Sequence, residues 1–321
     1  MGRPSYQRAF VDFFEDELVH HGYDWKKLIE EYMFGGQEPL INNVVSGLGH
    51  PLIHLGYAYE LSNRTIAMES LALTSCFYDP SMSKYLSDPS YTRPAKHPTT
   101  SLAEILDRVF NDKTFEDLFP TQGEENIAPL FRDHEDAVLE YWNSWSVTDP
   151  TKQFEESQRT AVLLLLGTHR PGAKTYDFFL VHLLTTSHAV RILLPLIPPQ
   201  YHVPLVRQWW LFTLSVYIAQ SRPPIREDTI SDYDPEGKGW DWIQKMAVES
   251  EWALDAHFVK ALRAIHSASE TWSDPSSWYL RAAVRFASEF ETWGGFGPLS
   301  EEDLKFTTDY RKWTAVEGPG Q

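Results

Sequence analysis

Asp177-Phe178-Phe179-Leu180-Val181-His182-Leu183-Leu184-Thr185 is the centre of an apolar stretch, Lys174–Leu194, closed by Pro195 and Pro198-Pro199. So long an apolar run ended by prolines reads as a helix packed inside a protein. Its neighbours read the same way. Phe154–Gly167 precedes it, and Val203–Gln220 follows with Trp209, Trp210, Phe212 and Tyr217. Further out, Tyr6–Val19 sets Phe10, Phe13, Phe14 and Leu18 at helical spacing, Gly22 stops it, and Asp24 caps a second helix reaching Met33. Shorter helices are predicted near Leu102–Phe110 and His134–Trp145. Long ones are predicted over Trp240–Ser267 and, as the last, Trp278–Trp293. Asp79–Thr100, with Pro80, Pro89, Pro94 and Pro98, is predicted irregular, and Arg222–Gly239 is predicted to be a surface loop. No strand pair or internal repeat is expected. The fold class is therefore all-α: a single-domain, irregular multi-helix bundle over residues 1–321, with long Pro-rich loops and no significant sheet. The polar residues 317–321 are expected to form a disordered tail.

Composition narrows the function. The 321 residues are 42% hydrophobic, enough for a sizeable core. A formal charge of −17 repels phosphate backbones, so nucleic acid is not an expected partner. Cys76 is the sole cysteine, which excludes an internal disulfide framework and a cysteine-rich metal site and fits a reducing compartment. The start, Met1-Gly2-Arg3-Pro4-Ser5-Tyr6, lacks the apolar segment of a signal peptide. The apolar stretches near Ala161–Gly167 and Ile192–Ile197 are too short to span a bilayer. The expectation is a cytoplasmic protein, with the Asn63-Arg64-Thr65 sequon unmodified inside a helix. The 12 Trp, 15 Tyr and 18 Phe could line a pocket for a flat aromatic ligand, although most should simply fill the core.

The chemistry rests on histidines. In His50-Pro51-Leu52-Ile53-His54-Leu55-Gly56-Tyr57-Ala58, Pro51 suits the first turn of a helix, which places His50 at the N-cap and lets the helix run to Cys76. His50 and His54 are four apart, so they share a face and could hold one metal ion; the alternative is two satisfied core histidines. His182 lies within an apolar helix, and His188, six residues on, points away from it. His257 and Lys260 are three apart and share a face, whereas His266 lies opposite. His20, His21, His97, His134, His169 and His202 are assigned to the surface. Together His50, His54, His182 and His257 offer imidazoles from three helices, a nitrogen-rich metal site. Lys260 either snorkels to solvent or, desolvated, becomes a neutral amine able to add carbon dioxide as a carbamate ligand. Dinucleotide, Walker, His-Glu-x-x-His and Gly-x-Ser-x-Gly motifs are lacking. Trp293-Gly294-Gly295-Phe296-Gly297 is a glycine-rich turn without the strand that a phosphate loop needs.

Gly47-Leu48-Gly49-His50-Pro51-Leu52-Ile53-His54-Leu55-Gly56-Tyr57-Ala58-Tyr59-Glu60 resembles the hallmark segment of the questin oxidase-like family of fungal polyketide pathways. Asp177–Thr186 with His182, Tyr217–Pro223 and Asp255–Arg263 resemble three further segments in the same order, so the resemblance runs from about Tyr6 to Gly297. It implies an all-α oxidoreductase that opens the quinone ring of an anthraquinone-like polyketide with dioxygen, formally a Baeyer–Villiger insertion, with NADPH attributed to that reaction. It also implies a relative with mononuclear non-haem iron held by four histidines and a carboxylated lysine. Here the matching positions are His50, His54, His182, His257 and Lys260, with Fe(II) the expected metal. Family members usually carry an additional N-terminal region, with a histidine-rich helix, that this chain is expected to lack. An inactive ligand-binding scaffold is therefore the alternative, and a zinc hydrolase, with Glu60 or Asp255 beside the metal, ranks last. The substrate and the oligomeric state are not specified by the sequence.

Overall fold

The structure is a computed structural model describing residues 1–316, with side chains described to Thr314; the expected tail at 317–321 lies outside the described residues. Helices dominate, as predicted. In chain order they are α1 (Gln7–His20), α2 (Trp25–Ile29), α3 (His50–Glu60), α4 (Arg64–Cys76), α5 (Pro80–Ser87), α6 (Leu102–Asn111), α7 (Ile127–Ser144), α8 (Pro150–Leu166), α9 (Phe178–Leu193), α10 (His202–Ala219), α11 (Asp228–Ser231), α12 (Trp240–Glu249), α13 (Ala256–Thr271), α14 (Trp278–Glu289) and α15 (Glu301–Val316). Two three-residue strands, β1 (Thr175–Asp177) and β2 (Thr292–Gly294), pair in parallel with Tyr176 opposite Trp293. The sheet is minor, but it is a strand pair that the residue pattern did not predict.

The chain divides into two compact units. The first comprises Met1–Thr100, Trp142–Glu155 and Thr185–Phe212; the second comprises Ser101–Tyr141, Glu156–Leu184 and the residues from Thr213 onward. Helices α7, α8, α9 and α10 each contribute residues to both.

In the first unit, α3 and α4 pack against each other and α1 packs on α4. Phe14 and Leu18 are the buried face of α1. The Ser70 hydroxyl donates to the Pro51 carbonyl at 2.8 Å, tying α4 to α3. The continuous helix expected from Pro51 to Cys76 is broken. Ser62 takes a left-handed φ of 48°, and the Asn63 side chain accepts from the backbone of Thr65 and Ile66. Asn63 thus starts α4, where asparagine satisfies otherwise unpaired amides, rather than sitting inside a helix. Asp79 caps α5 with Pro80 at its first position, so one proline read as a breaker is a helix start. Trp142, Trp145, Trp209 and Trp210 are nearly or fully buried, with Trp145 against Trp210 and Phe154 against Trp209. These indoles fill a core rather than line a pocket.

In the second unit, α13 packs on α14, and α11 and α12 also contact α14. Arg222, in the left-handed region at φ 50°, donates to the carbonyls of Val109, Phe110, Asp112 and Phe115. Its guanidinium satisfies carbonyls that the end of α6 leaves unpaired. The predicted Trp240–Ser267 helix is two, because Asp255 caps a new start at Ala256. The predicted Trp278–Trp293 helix stops at Glu289, and β2 follows. The Lys174–Leu194 helix likewise begins as β1 and becomes helical at Phe178. Helix α15 was not expected; it is polar and weakly patterned, so periodicity gave it no signal.

Candidate metal-binding residues

In the first unit, Gly47, Leu48 and Gly49 are all left-handed, with φ of 59°, 55° and 73°. Glycine is required there on space as well as conformation. A Cβ on Gly47 would lie 2.7 Å from the Phe77 ring, and one on Gly49 would lie 2.3 Å from Thr186 Cγ2. Gly49, not His50, is the N-cap of α3, which moves His50 to the first helical position. The His50 Nδ1 lies 2.8 Å from the Gly47 carbonyl, and the His54 Nδ1 lies 2.8 Å from the His50 carbonyl. A carbonyl can only accept, so each Nδ1 carries the proton. In each neutral ring the lone pair is then on Nε2, the arrangement a metal-binding imidazole needs.

His54 turns its Nε2 to within 3.6 Å of a Glu69 carboxylate oxygen. His50 and His54 line a cavity of about 550 Å³ with Glu15, Met68, Leu73 and Phe77. That volume falls within the range of small-molecule pockets, roughly 300–1,000 Å³. Glu60, one of the acids considered beside a metal, pairs instead with His188 at 3.2 Å.

In the second unit, Asp177 starts α9. Its Oδ1 accepts from the amides of Phe179 and Leu180 at 2.8 and 2.9 Å and from Gln220 Nε2 at 3.2 Å. Burial pushes its pKa up to about 6 against the lowering effect of these donors. One turn on, fully buried His182 donates from Nδ1 to the Phe178 carbonyl at 2.7 Å, again placing the lone pair on Nε2. Asp255 starts α13 by accepting from the amides of His257 and Phe258 at 2.8 and 3.0 Å. The His182 and His257 rings lie 5.0 Å apart, with ring nitrogens that could hold a metal ion within 4.8 Å of each other. Phe178 packs on both, 4.8 Å from His182 and 4.7 Å from His257. One turn after His257, half-buried Lys260 has its pKa lowered by burial, with Asp255 opposing.

The structure therefore brings the rings of His182 and His257 together and aims His54 at a carboxylate. His266 stands apart, against Trp240 and Glu270. His169 corrects the surface assignment. It is buried, stacks on Tyr176 at 3.9 Å, and approaches Arg285 at 3.3 Å. Burial first, and then the Arg285 charge, push its pKa down to about 4. Asp177, Gln220 and Trp293 are the positioning residues that the histidine search missed. The signal for Asp177 was its place immediately before a helix; Trp293 gave none, because its partner Asp255 is distant in sequence.

No helix among the described residues is long and apolar enough to cross a membrane. Residues 1–265 match the sequence model described as questin oxidase-like. Among curated proteins, the chain is 27% identical to the questin oxidase of Aspergillus fumigatus, covering 84% of this chain and 64% of the relative. It is 26% identical to oxidoreductase AflY of Aspergillus parasiticus, covering 97% and 66%. It is also 26% identical to the Baeyer–Villiger oxidase GME11358 of Pestalotiopsis microspora, covering 81% and 62%. The chain thus spans less than two thirds of the length of these relatives. With residues 1–265 of its 321 matched, the chain belongs to the questin oxidase-like family.

Proposed function

We propose that this chain is an oxidoreductase of fungal-type secondary metabolism that uses dioxygen to oxidise or cleave an anthraquinone-like aromatic polyketide at a His-rich non-haem iron centre. The observation that carries this reading is the buried His182 beside His257, with Nδ1 of His182 held by a carbonyl. Imidazoles with the lone pair on Nε2 suit Fe(II), and His50 has the same tautomer. Lys260 is assigned the oxygen ligand as a carbamate; its desolvated amine is the form that adds carbon dioxide. His54 faces the first unit's cavity, where Met68, Leu73 and Phe77 would cover an aromatic face and His54 Nε2 would accept from a phenolic hydroxyl.

Bound ferrous iron would supply the activation of dioxygen that these side chains cannot. The chain's own residues would hold Nδ1 on a carbonyl, orient the rings and exclude water. Insertion of one oxygen atom, with the other leaving as water, consumes two electrons, and NADPH is the proposed source. Cleavage that keeps both oxygen atoms needs no reductant.

The test is oxygen consumption by the Fe(II)-reconstituted chain with a hydroxylated anthraquinone, with and without NADPH. Turnover that requires iron is expected, and it would reject the inactive-scaffold alternative. Absence of turnover in a chain that has taken up iron would overturn the proposal.

A further inference from the structure

The glycine-rich segment Trp293-Gly294-Gly295 lies beyond the residues that match the family, yet it touches both helix starts that carry His182 and His257. At one end, the Trp293 indole N–H donates to Asp255 Oδ2 at 2.8 Å, while Asp255 Oδ1 holds the first amides of α13. At the other end, Gly294 pairs with Asp177 across the two-stranded sheet. Gly295, at φ 87°, lies so close that a Cβ there would be 2.6 Å from Asp177 Oδ2. Gln220 closes this end, its Nε2 donating to Asp177 Oδ1 and to the Gly295 carbonyl, each at 3.2 Å. Between the two ends, the Trp293 ring stands 6.1 Å from both Phe178 and His257.

We propose that Trp293–Gly295 is a positioning bridge that sets the spacing of His182 and His257 by holding the two aspartate caps in one register. Each cap fixes where its helix begins, and each histidine sits within about a turn and a half of its cap. A rigid segment bonded to both caps therefore fixes the separation of the two imidazoles. Trp293 is a positioning residue and contacts no reacting atom. This rests on the reading of His182 and His257 as metal ligands. Partners one step outside a metal's ligands change affinity by about 10- to 100-fold when removed.

The experiment compares Trp293→Phe with the wild-type chain, using Co(II) as the probe. The ring is retained and only the N–H is lost. Expected are Co(II) affinity lowered about tenfold or more and altered Co(II) absorption bands, with the melting temperature close to wild type. Trp272→Phe is the control, because that indole donates to Gln158 Oε1 in the same unit. It should lower stability and leave the Co(II) spectrum unchanged. Nitrogen-15 histidine spectra of the metal-free proteins form the second arm. Trp293→Phe should shift the ring resonances of both His182 and His257. If the wild-type chain takes no Co(II), the metal reading fails, and the metal-free spectra alone decide the bridge. If those resonances do not move, or if Co(II) affinity and spectrum match wild type, the bridge is overturned.

Discussion

The two histidine-bearing regions hold their imidazoles by different physics. In the first unit, backbone and close packing place His50 and His54: three consecutive left-handed residues turn the chain into α3, and glycines lie where no side chain fits. In the second unit, carboxylates and their donors place His182 and His257: Asp177 and Asp255 each cap a helix, and Trp293 and Gln220 bind those carboxylates. The contrast has consequences. A steric device fails abruptly when an atom is added, whereas a hydrogen-bonded device weakens by one bond at a time.

The sharpest break of this contrast is Gly49→Ala. A left-handed alanine costs about 1–2 kcal/mol, and a Cβ 2.3 Å from Thr186 Cγ2 adds a packing cost of about 1–3 kcal/mol. Denaturant unfolding should show a loss of about 3 kcal/mol. A loss under about 1 kcal/mol would mean that the turn is not sterically fixed.

Next in size is the pH response of His169, which stacks on β1 in the second unit. Its folded pKa is depressed to about 4, so folding disfavours its proton. Its contribution is complete above about pH 6.5 and is lost as pH falls towards 4. His169→Gln removes that penalty. Relative to wild type, the variant should gain up to about 3 kcal/mol between pH 7 and pH 4. The difference between the two proteins isolates His169 from Asp177, whose raised pKa acts oppositely: its contribution is present at low pH and lost as pH rises through about 6. A pH-independent difference would show that His169 titrates normally.

Smallest is Asp255→Ala, which removes one cap and should cost about 1–2 kcal/mol. If the contrast holds, this modest loss comes with a marked change in the His257 ring resonance, whereas Gly49→Ala leaves that resonance in place. Were Asp255→Ala to unfold the protein outright, the second region would be as brittle as the first.

How much of this was readable in the residues follows from the same contrast. Helical periodicity alone put His182 in a buried helix and His257 and Lys260 on one face, because those relations lie within three or four residues. Four ordered segments then linked them to His50 and His54. Non-local features stayed hidden. Trp293 meets Asp255 across 38 residues, and β1 pairs with β2 across more than a hundred. Local punctuation was misread where one residue had two uses. Asn63 and Asp255 looked like polar positions inside helices and are caps that begin new ones. His169 looked like a loop histidine, and a stacked tyrosine and an arginine make it a buried one.

The central proposal is that the imidazoles of His182 and His257 bind ferrous iron. Its most direct test is anaerobic Fe(II) titration of the wild-type chain and of His182→Ala and His257→Ala, with bound iron measured after desalting. The account predicts about one iron per wild-type chain, and loss of stoichiometric binding in each variant that remains folded. Wild-type protein without stoichiometric iron, or variants that retain it undiminished, would contradict the account.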